Sequence, residues 1–410
     1  MTTPRLAAVL IVKDEEKNLP GCLESLNTLR PLLHEIIVYD TGSTDATIDI
    51  ATHAGAAVHR GSWNGDFSHA RNKATSYTDA TWVLSIDADE RVIANTSLLA
   101  SALTTRRHDI DVFHTTILDI GPSGTPIAQH PFSKLFRPSR AHWAGTIHET
   151  LHPRHPENPL HEGELSPDIL HLRHHGYAEK TIRDTKATRN ATVAHAGRTR
   201  HHTNTALPVD QRVKLMIDEA RALVADNNLD HARDLFDIAL HTHPISTERR
   251  IQVLHEAISF HLIDKQFTRA EEEITELHSL GAPTDAVTWL KANLLVDSGH
   301  PREAMTLLKT LKSVRLSRTL ELDGSFAVAL LMRAAVDAGE FDEALACAIQ
   351  LVAHTGDVPR FGRQLLRLWG DQPPELLAQL LREVAGPHIE TIRTGLAEMP
   401  APGPQVAHAL

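Results

Sequence analysis

The first 120 residues alternate between short apolar runs and helical periodicities. Leu6–Val12 (LAAVLIV) is an unbroken apolar run of seven residues, the length of a buried strand. Leu19, Cys22, Leu23, Leu26 and Leu29 then recur at helical spacing. Glu35–Tyr39 (EIIVY) predicts a second strand, Asp45–Ala54 a helix and Ala56–His59 a short strand. Phe67–Ser76 predicts a further helix and Trp82–Ile86 (WVLSI) a further strand. This alternation predicts an α/β domain built on a parallel, doubly wound sheet. From 110 to 180 the pattern loosens. Asp111–Leu118 and Phe132–Phe136 read as strands, while six prolines between Pro131 and Pro167 break the remainder into loops of the kind that wall active sites. Tyr177–Arg198 reads as a helix. The polar stretch His201–Pro208 (HHTNTALP) has no period and ends in proline, which places a boundary there.

Beyond residue 210 the pattern is helical throughout and repeats. Asn227-x-Leu229-x-x-Ala232, Lys265-x-Phe267-x-x-Ala270, Gly299-x-Pro301-x-x-Ala304 and Gly339-x-Phe341-x-x-Ala344 share one register. Their alanines lie 38, 34 and 40 residues apart. The spacing resembles tetratricopeptide (TPR) helical hairpins, whose period is about 34 residues and whose small residues let paired helices approach closely. The expected organisation is a catalytic domain over 1–200, a linker over 201–209, a helical-repeat domain over 210–385 and a tail over 386–410. The tail is proline-rich after Glu398, which predicts disorder at its end.

Composition narrows the classes of function. The chain has 410 residues and a net charge of −11, about −2 in residues 1–200 and −9 in the rest. That balance argues against a nucleic-acid binder, which usually shows a basic footprint. Two cysteines, Cys22 and Cys347, exclude a disulfide framework and favour a reducing compartment. The seven-residue run at Leu6 is too short for a membrane span or a signal peptide, so a cytoplasmic protein is expected. Histidine is abundant at 28 residues. His148, His152 and His155 have a ligand-like spacing, but Pro153 and Pro156 interrupt any helix that could align them on a zinc ion.

The residues with the clearest chemistry lie at the carboxyl ends of predicted strands, where ligands of doubly wound sheets bind. Asp87-Ala88-Asp89-Glu90 follows the strand Trp82–Ile86, Asp40 ends the second strand, and Lys13-Asp14-Glu15-Glu16 ends the first. Two aspartates one residue apart can share a hard divalent cation, or divide between a cation and a sugar hydroxyl. Gly42 permits a tight turn and Ser43, Thr44 or Asp45 can cap the following helix, which leaves the carboxylate of Asp40 unexplained by local structure. There is no G-x-G-x-x-G after the first strand and no G-x-S-x-G elbow, which removes dinucleotide dehydrogenases and serine hydrolases.

In order and spacing, IVKDEEKNL (11–19), YDTGSTD (39–45), WNGDFSHARN (63–72), SIDADE (85–90), HWAGTIHE (142–149), HHGY (174–177) and Lys186-x-x-Arg189-Asn190 resemble glycosyltransferase family 2, with the GT-A fold. The resemblance covers about half the chain. It is nearest to a bacterial subgroup that appends TPR repeats to the transferase domain and includes enzymes that glycosylate cysteines of bacteriocin precursors.

The resemblance implies the following roles. Asp40 contacts the uracil of a UDP-sugar, Val12 and Glu15 border the nucleotide, and Arg71 offers planar donors to phosphate or nucleotide. Asp87 lies near the ribose. Asp89 holds Mn2+ or Mg2+, with His174 (or its neighbour His175) completing the site. Glu149 is the expected general base of an inverting displacement, with Asp66 as second candidate. The implied reaction moves a hexose or N-acetylhexosamine from the UDP-sugar to a peptide side chain, Cys or Ser/Thr, of a ribosomally made precursor. The alternatives are a saccharide, lipid-linked or small-molecule acceptor, or a non-catalytic TPR scaffold. The subgroup also suggests a homodimer.

Overall fold

The computed structural model describes residues 5–104, 110–121, 124, 126–175, 180–202, 207–315 and 321–410. Gly176 and Tyr177 of the HHGY stretch, the predicted start of the helix at 177, and residues 203–206 of the expected linker lie outside them. The chain divides into two compact units, residues 1–119 with 130–235, and residues 120–129 with 236–410.

The first unit opens with β1 (Leu6–Val12), α1 (Leu19–Ser25), β2 (Leu33–Asp40), α2 (Thr47–His53), β3 (Ala57–Arg60), α3 (Phe67–Thr75) and β4 (Trp82–Ser85). Each lies where the apolar pattern predicts it. β1 pairs in parallel with β2 and with β4, and β2 pairs in parallel with β3. The unbroken apolar run of β1 has a physical cause. Leu6, Ala8, Leu10 and Val12 enter one core, while Ala7 and Val9 enter another on the opposite face. A central strand covered on both faces has no polar side to show.

The remaining elements depart from a purely parallel sheet. They are β5 (Glu90–Ala94), α4 (Thr96–Thr104), β6 (Val112–Ile120), β7 (Pro126–Phe136), β8 (Ala141–Ala144), β9 (Thr150–Pro153), β10 (Glu162–Glu164) and β11 (Leu170–His174). The order is β3-β2-β1-β4-β7-β6-β11-β5. β4 pairs antiparallel with β7, and β11 antiparallel with β5. The sheet is therefore mixed, because the chain after β4 returns through strand pairs instead of helical crossovers. It keeps the doubly wound half expected of a GT-A fold. β8 and β9 form a separate antiparallel hairpin. Two long helices follow, α5 (Lys180–His202) and α6 (Val209–Ala225).

The second unit is mainly helical, as the repeats predict, and its first helix, α7 (Leu229–His241), begins in the first unit and passes into the second at residue 236. With it, α8 (Thr247–Ile263), α9 (Phe267–Ser279), α10 (Thr284–Asp297), α11 (Pro301–Leu308), α12 (Gly324–Ala338) and α13 (Phe341–Thr355) run through the repeat region. Ala232, Ala270, Ala304 and Ala344 are all fully buried. The first residue of each repeat match, Asn227, Lys265, Gly299 and Gly339, has positive φ of 59°, 59°, 85° and 76°. The motif thus pairs the left-handed residue that stops one helix with the alanine that seats the next. After α14 (Val358–Trp369) and α15 (Pro374–Val384), the expected disorder is not found. α16 (Ile389–Ala397) and α17 (Gly403–Ala409) bury Ile392, Leu396 and Val406 completely. The prolines punctuate helix starts here: Pro404 lies in the first turn of α17, where its missing N–H costs nothing.

Candidate active site

A cavity of about 510 Å³ opens at the carboxyl ends of β1 and β4. Val12 and Glu15 line it from the first strand end, Asp87 and Asp89 from the segment after β4, and Arg71 from α3. His148 and Glu149 come from the β8–β9 turn, His174 from β11, and Arg189 with Asn190 from α5. Seven of the nine expected site residues therefore meet in one place. Asp40 and Asp66 are not among the lining residues.

Those two carboxylates serve their own loops. Asp40 is 2% exposed and accepts from the amides of Gly42 and Ser43 at 3.1 Å each, so it organises the turn after β2. Its neighbour Thr41 reaches the cavity and donates through Oγ1 to the carbonyl of Val12 at 3.1 Å. Asp66 is the N-cap of α3, accepting from the amide of His69 at 2.9 Å and from Ser68 Oγ at 2.8 Å.

The A-R-N stretch of α3 ties the two sides of the site together. Arg71 is buried and donates from Nε to Glu149 at 2.5 Å, and from its two terminal nitrogens to Ser85 Oγ at 3.0 Å and Asp87 at 2.8 Å. Its guanidinium lies 5.3 Å from the Trp143 ring centre. Asn72 clamps the backbone of Trp143 from both directions, accepting from its amide at 2.9 Å and donating to its carbonyl at 2.8 Å. Asp87 receives a second cation, Lys134 on β7, at 2.8 Å. Lys134 is 3% exposed and also lies 3.2 Å from Glu90. Burial would raise the Asp87 carboxyl, but Arg71 and Lys134 outweigh it and hold it far below the ordinary carboxylate range. Glu90 shares the same lysine and moves the other way, raised by burial and by Asp87 and Asp89.

Asp89 meets a different partner. His174 Nε2 lies 3.5 Å from Asp89 Oδ2, and His174 Nδ1 lies 2.7 Å from Asp119 on β6. Burial disfavours an imidazolium, yet the bond to Asp119 and the carboxylate of Asp89 lift His174 to about 10. The neighbouring His175 does not line the cavity, and burial lowers its pKa. One carboxylate oxygen and one imidazole nitrogen at this spacing fit two ligands of a single divalent cation, which sit about 3 Å apart around a six-coordinate ion. Asp119 stands where an outer carboxylate fixes a ligating histidine's tautomer.

Among the described residues, one cluster brings three possible ligands together, His34, Glu35 and Asp79. It belongs to an ion-pair network: Arg5 donates to Asp79 at 3.1 Å and reaches His34 Nε2 at 2.6 Å.

The β8–β9 turn is built with care. Gly145 has φ 106°, and His148, which is not glycine, has φ 51°. A left-handed histidine costs about 1–2 kcal/mol, so the surroundings must hold it. They do so in three ways. The amide of Phe67 donates to the carbonyl of Thr146 at 3.0 Å. Gly197 of α5 leaves room for Thr146, which a Cβ there would meet at 2.9 Å. Ile147 is buried with Ala191, Val193 and Ala194 of α5 and Ala222 of α6.

Sequence reasoning gave no role to Lys134, Asp119, Arg189 or His148. Lys134 and Asp119 carry a visible signal, each being the lone Asp, Glu, Lys or Arg of its strand. Arg189 stands inside a quoted stretch; it lies 5.3 Å from the Phe67 ring centre and lines the cavity. Burial lowers its pKa against the pull of Glu15 and Asp89.

Residues 7–154 match the family model described as glycosyl transferase family 2. A TPR repeat-containing protein of Synechococcus elongatus is 37% identical over 133 residues, 32% of this chain and 31% of that protein. The SPbeta prophage-derived glycosyltransferase SunS of Bacillus subtilis is 38% identical over 89 residues, 21% of this chain and 20% of that one. The chain thus spans a third or less of these curated relatives. Among solved structures, glucosyl-3-phosphoglycerate synthase from Mycobacterium tuberculosis is 24% identical over 29% of this chain and 45% of its own, with a TM-score of 0.24. No helix among the described residues is long and apolar enough to cross a membrane.

Proposed function

We propose that this chain, whose residues 7–154 form a glycosyl transferase family 2 domain, is a metal-dependent inverting glycosyltransferase. It moves a hexose or N-acetylhexosamine from a UDP-sugar to a peptide side chain. The observation that carries this reading is the shared lining of one cavity: Asp89 and His174, 3.5 Å apart with His174 also bound to Asp119, line it together with His148 and Glu149 of the β8–β9 turn. A volume of about 510 Å³ suits a small-molecule donor. A divalent cation bound at Asp89 and His174 supplies Lewis-acid stabilisation of the departing diphosphate. Arg71, saturated by Glu149, Ser85 and Asp87, keeps the Asp87 carboxylate ionised and oriented. Arg189 offers a cation to the donor's phosphates.

The peptide acceptor is supported by the helical repeats in the same chain, since such arrays present extended surfaces to extended segments. The test is UDP release from a panel of UDP-sugars in Mn2+, Mg2+ or EDTA, with wild type beside Asp89→Asn. One donor should turn over, only with metal, and the variant should lose that turnover. Metal-independent release, or an Asp89→Asn enzyme as active as wild type, refutes the assignment.

A further inference from the structure

We infer that His148, and neither Glu149 nor Asp66, takes the proton of the acceptor nucleophile. The inference rests on the transferase reading above and deepens it.

Of the two acidic candidates, Glu149 lines the cavity but is tied to Arg71, and Asp66 serves its own helix. Glu149 is 7% exposed, and its Oε1 lies 2.5 Å from the Nε of a guanidinium that also holds Asp87. That carboxylate oxygen is taken up by a framework contact, the charge-assisted bond to the arginine of α3. Asp66 caps α3 and does not line the cavity. His148 does line it, together with Asp89 and His174. Its backbone is held in the left-handed region, φ 51°, by a turn braced from α3, α5 and α6. Strain maintained by three elements at one cavity-lining residue points to that side chain's placement.

The surroundings favour a neutral ring. His148 is exposed at the cavity, yet the protein packed around its turn withdraws solvent from the ring and lowers the imidazole's affinity for a proton. From α6, Asp218 opposes that effect while Arg221 and Lys214 reinforce it, and Glu149 adjoins it in the same turn. Lys214 lies 2.6 Å from Asp218, which blunts the carboxylate's pull. An imidazole neutral near pH 7 has a lone pair to offer.

In the step, a bond forms from the acceptor's heteroatom to the sugar's anomeric carbon. The bond from that carbon to the phosphate oxygen breaks, and its electron pair leaves with UDP. The acceptor's proton passes to the imidazole and then to water.

Azide separates this role from a structural one, because it attacks without a proton to lose. UDP release is measured for wild type, His148→Ala and His148→Gln across the UDP-sugar panel, with Mn2+ and with water or azide as nucleophile. The water reaction should fall by about 10²–10⁴-fold in both variants, while the azide reaction persists at the wild-type rate. The wild-type water rate should also decline as pH falls through a value below the ordinary 6.5 or so of histidine, and the variants should lack that limb. Equal loss with both nucleophiles makes His148 a structural residue and overturns the inference, as does an unaffected water reaction. A wild type that releases no UDP with either nucleophile refutes the transferase reading instead, and this inference with it.

Discussion

Replacing Arg71 by methionine tests the physical centre of the site. The variant keeps most of the side chain's volume and removes its charge. Arg71 makes three hydrogen bonds, to Glu149, Ser85 and Asp87. Asp87 retains Lys134 at 2.8 Å, so its loss is partial. Glu149 then loses the guanidinium it pairs with and is left as a buried carboxylate without that countercharge. Breaking a buried pair from one side costs about 3–5 kcal/mol. Glu149→Gln alone should cost less, about 1–2 kcal/mol, because the guanidinium keeps Asp87 and Ser85. The double variant should fall short of the sum by about 2 kcal/mol, the coupling of the pair.

Urea unfolding followed by tryptophan fluorescence measures this. Trp63, Trp82 and Trp143 lie in the first unit, so a Trp289→Phe, Trp369→Phe background makes the signal report that unit. The sign with pH is fixed. Asp87 has a depressed pKa, so its contribution is complete above the ordinary carboxylate value of about 3.9 and is lost as pH falls through the folded value. The wild-type advantage over Arg71→Met should therefore be full at pH 7 and shrink below about pH 4. A loss under about 1 kcal/mol at pH 7, or strict additivity in the cycle, refutes the account of Arg71 as the clamp of two carboxylates.

Two further outcomes are expected. Asp119→Asn should weaken Mn2+ binding by about 10–100-fold in calorimetry by releasing the His174 ring; unchanged affinity refutes Asp119 as its orienter. Lys265→Gly should raise the second unit's stability by about 1 kcal/mol, since a lysine at φ 59° pays for a conformation glycine adopts freely. A destabilised variant would show that the Lys265 side chain contributes more than its backbone costs.

How far the sequence was legible follows from the range of each interaction. The strands and helices up to β4 were readable because burial on both faces writes continuous apolar runs, and loops carry local turn chemistry. β5 was not, since ERVIA is short, follows an acidic motif and owes its place to antiparallel pairing with β11, some 80 residues away. The repeat motif was found as spacing, but its meaning, a left-handed stop before a seated alanine, needed backbone angles. Strand ends pointed to Glu15, Asp87 and Asp89, while Val12, Arg71, Glu149 and His174 came only from the family resemblance, and Asp40 at a strand end does not line the cavity. The site's partnerships were not readable: nothing local to Arg71 announces Glu149, or to Asp87 announces Lys134.

Those partnerships decide what the two aspartates of Asp87-Ala88-Asp89 do. Sequence alone leaves them equivalent. In the structure two cations hold Asp87, so its charge is neutralised by the protein before any ligand arrives. Asp89 lies 3.5 Å from a histidine whose other nitrogen is bound by Asp119, a spacing that a divalent cation could bridge. Those contacts separate the two aspartates: Asp87 is held by Arg71 and Lys134, and Asp89 would be the metal ligand of the proposed reaction. A divalent cation binding there would compete with the proton that Asp119 and Asp89 hold on His174, so its apparent affinity, read by calorimetry at several pH values, should rise with pH across the neutral range.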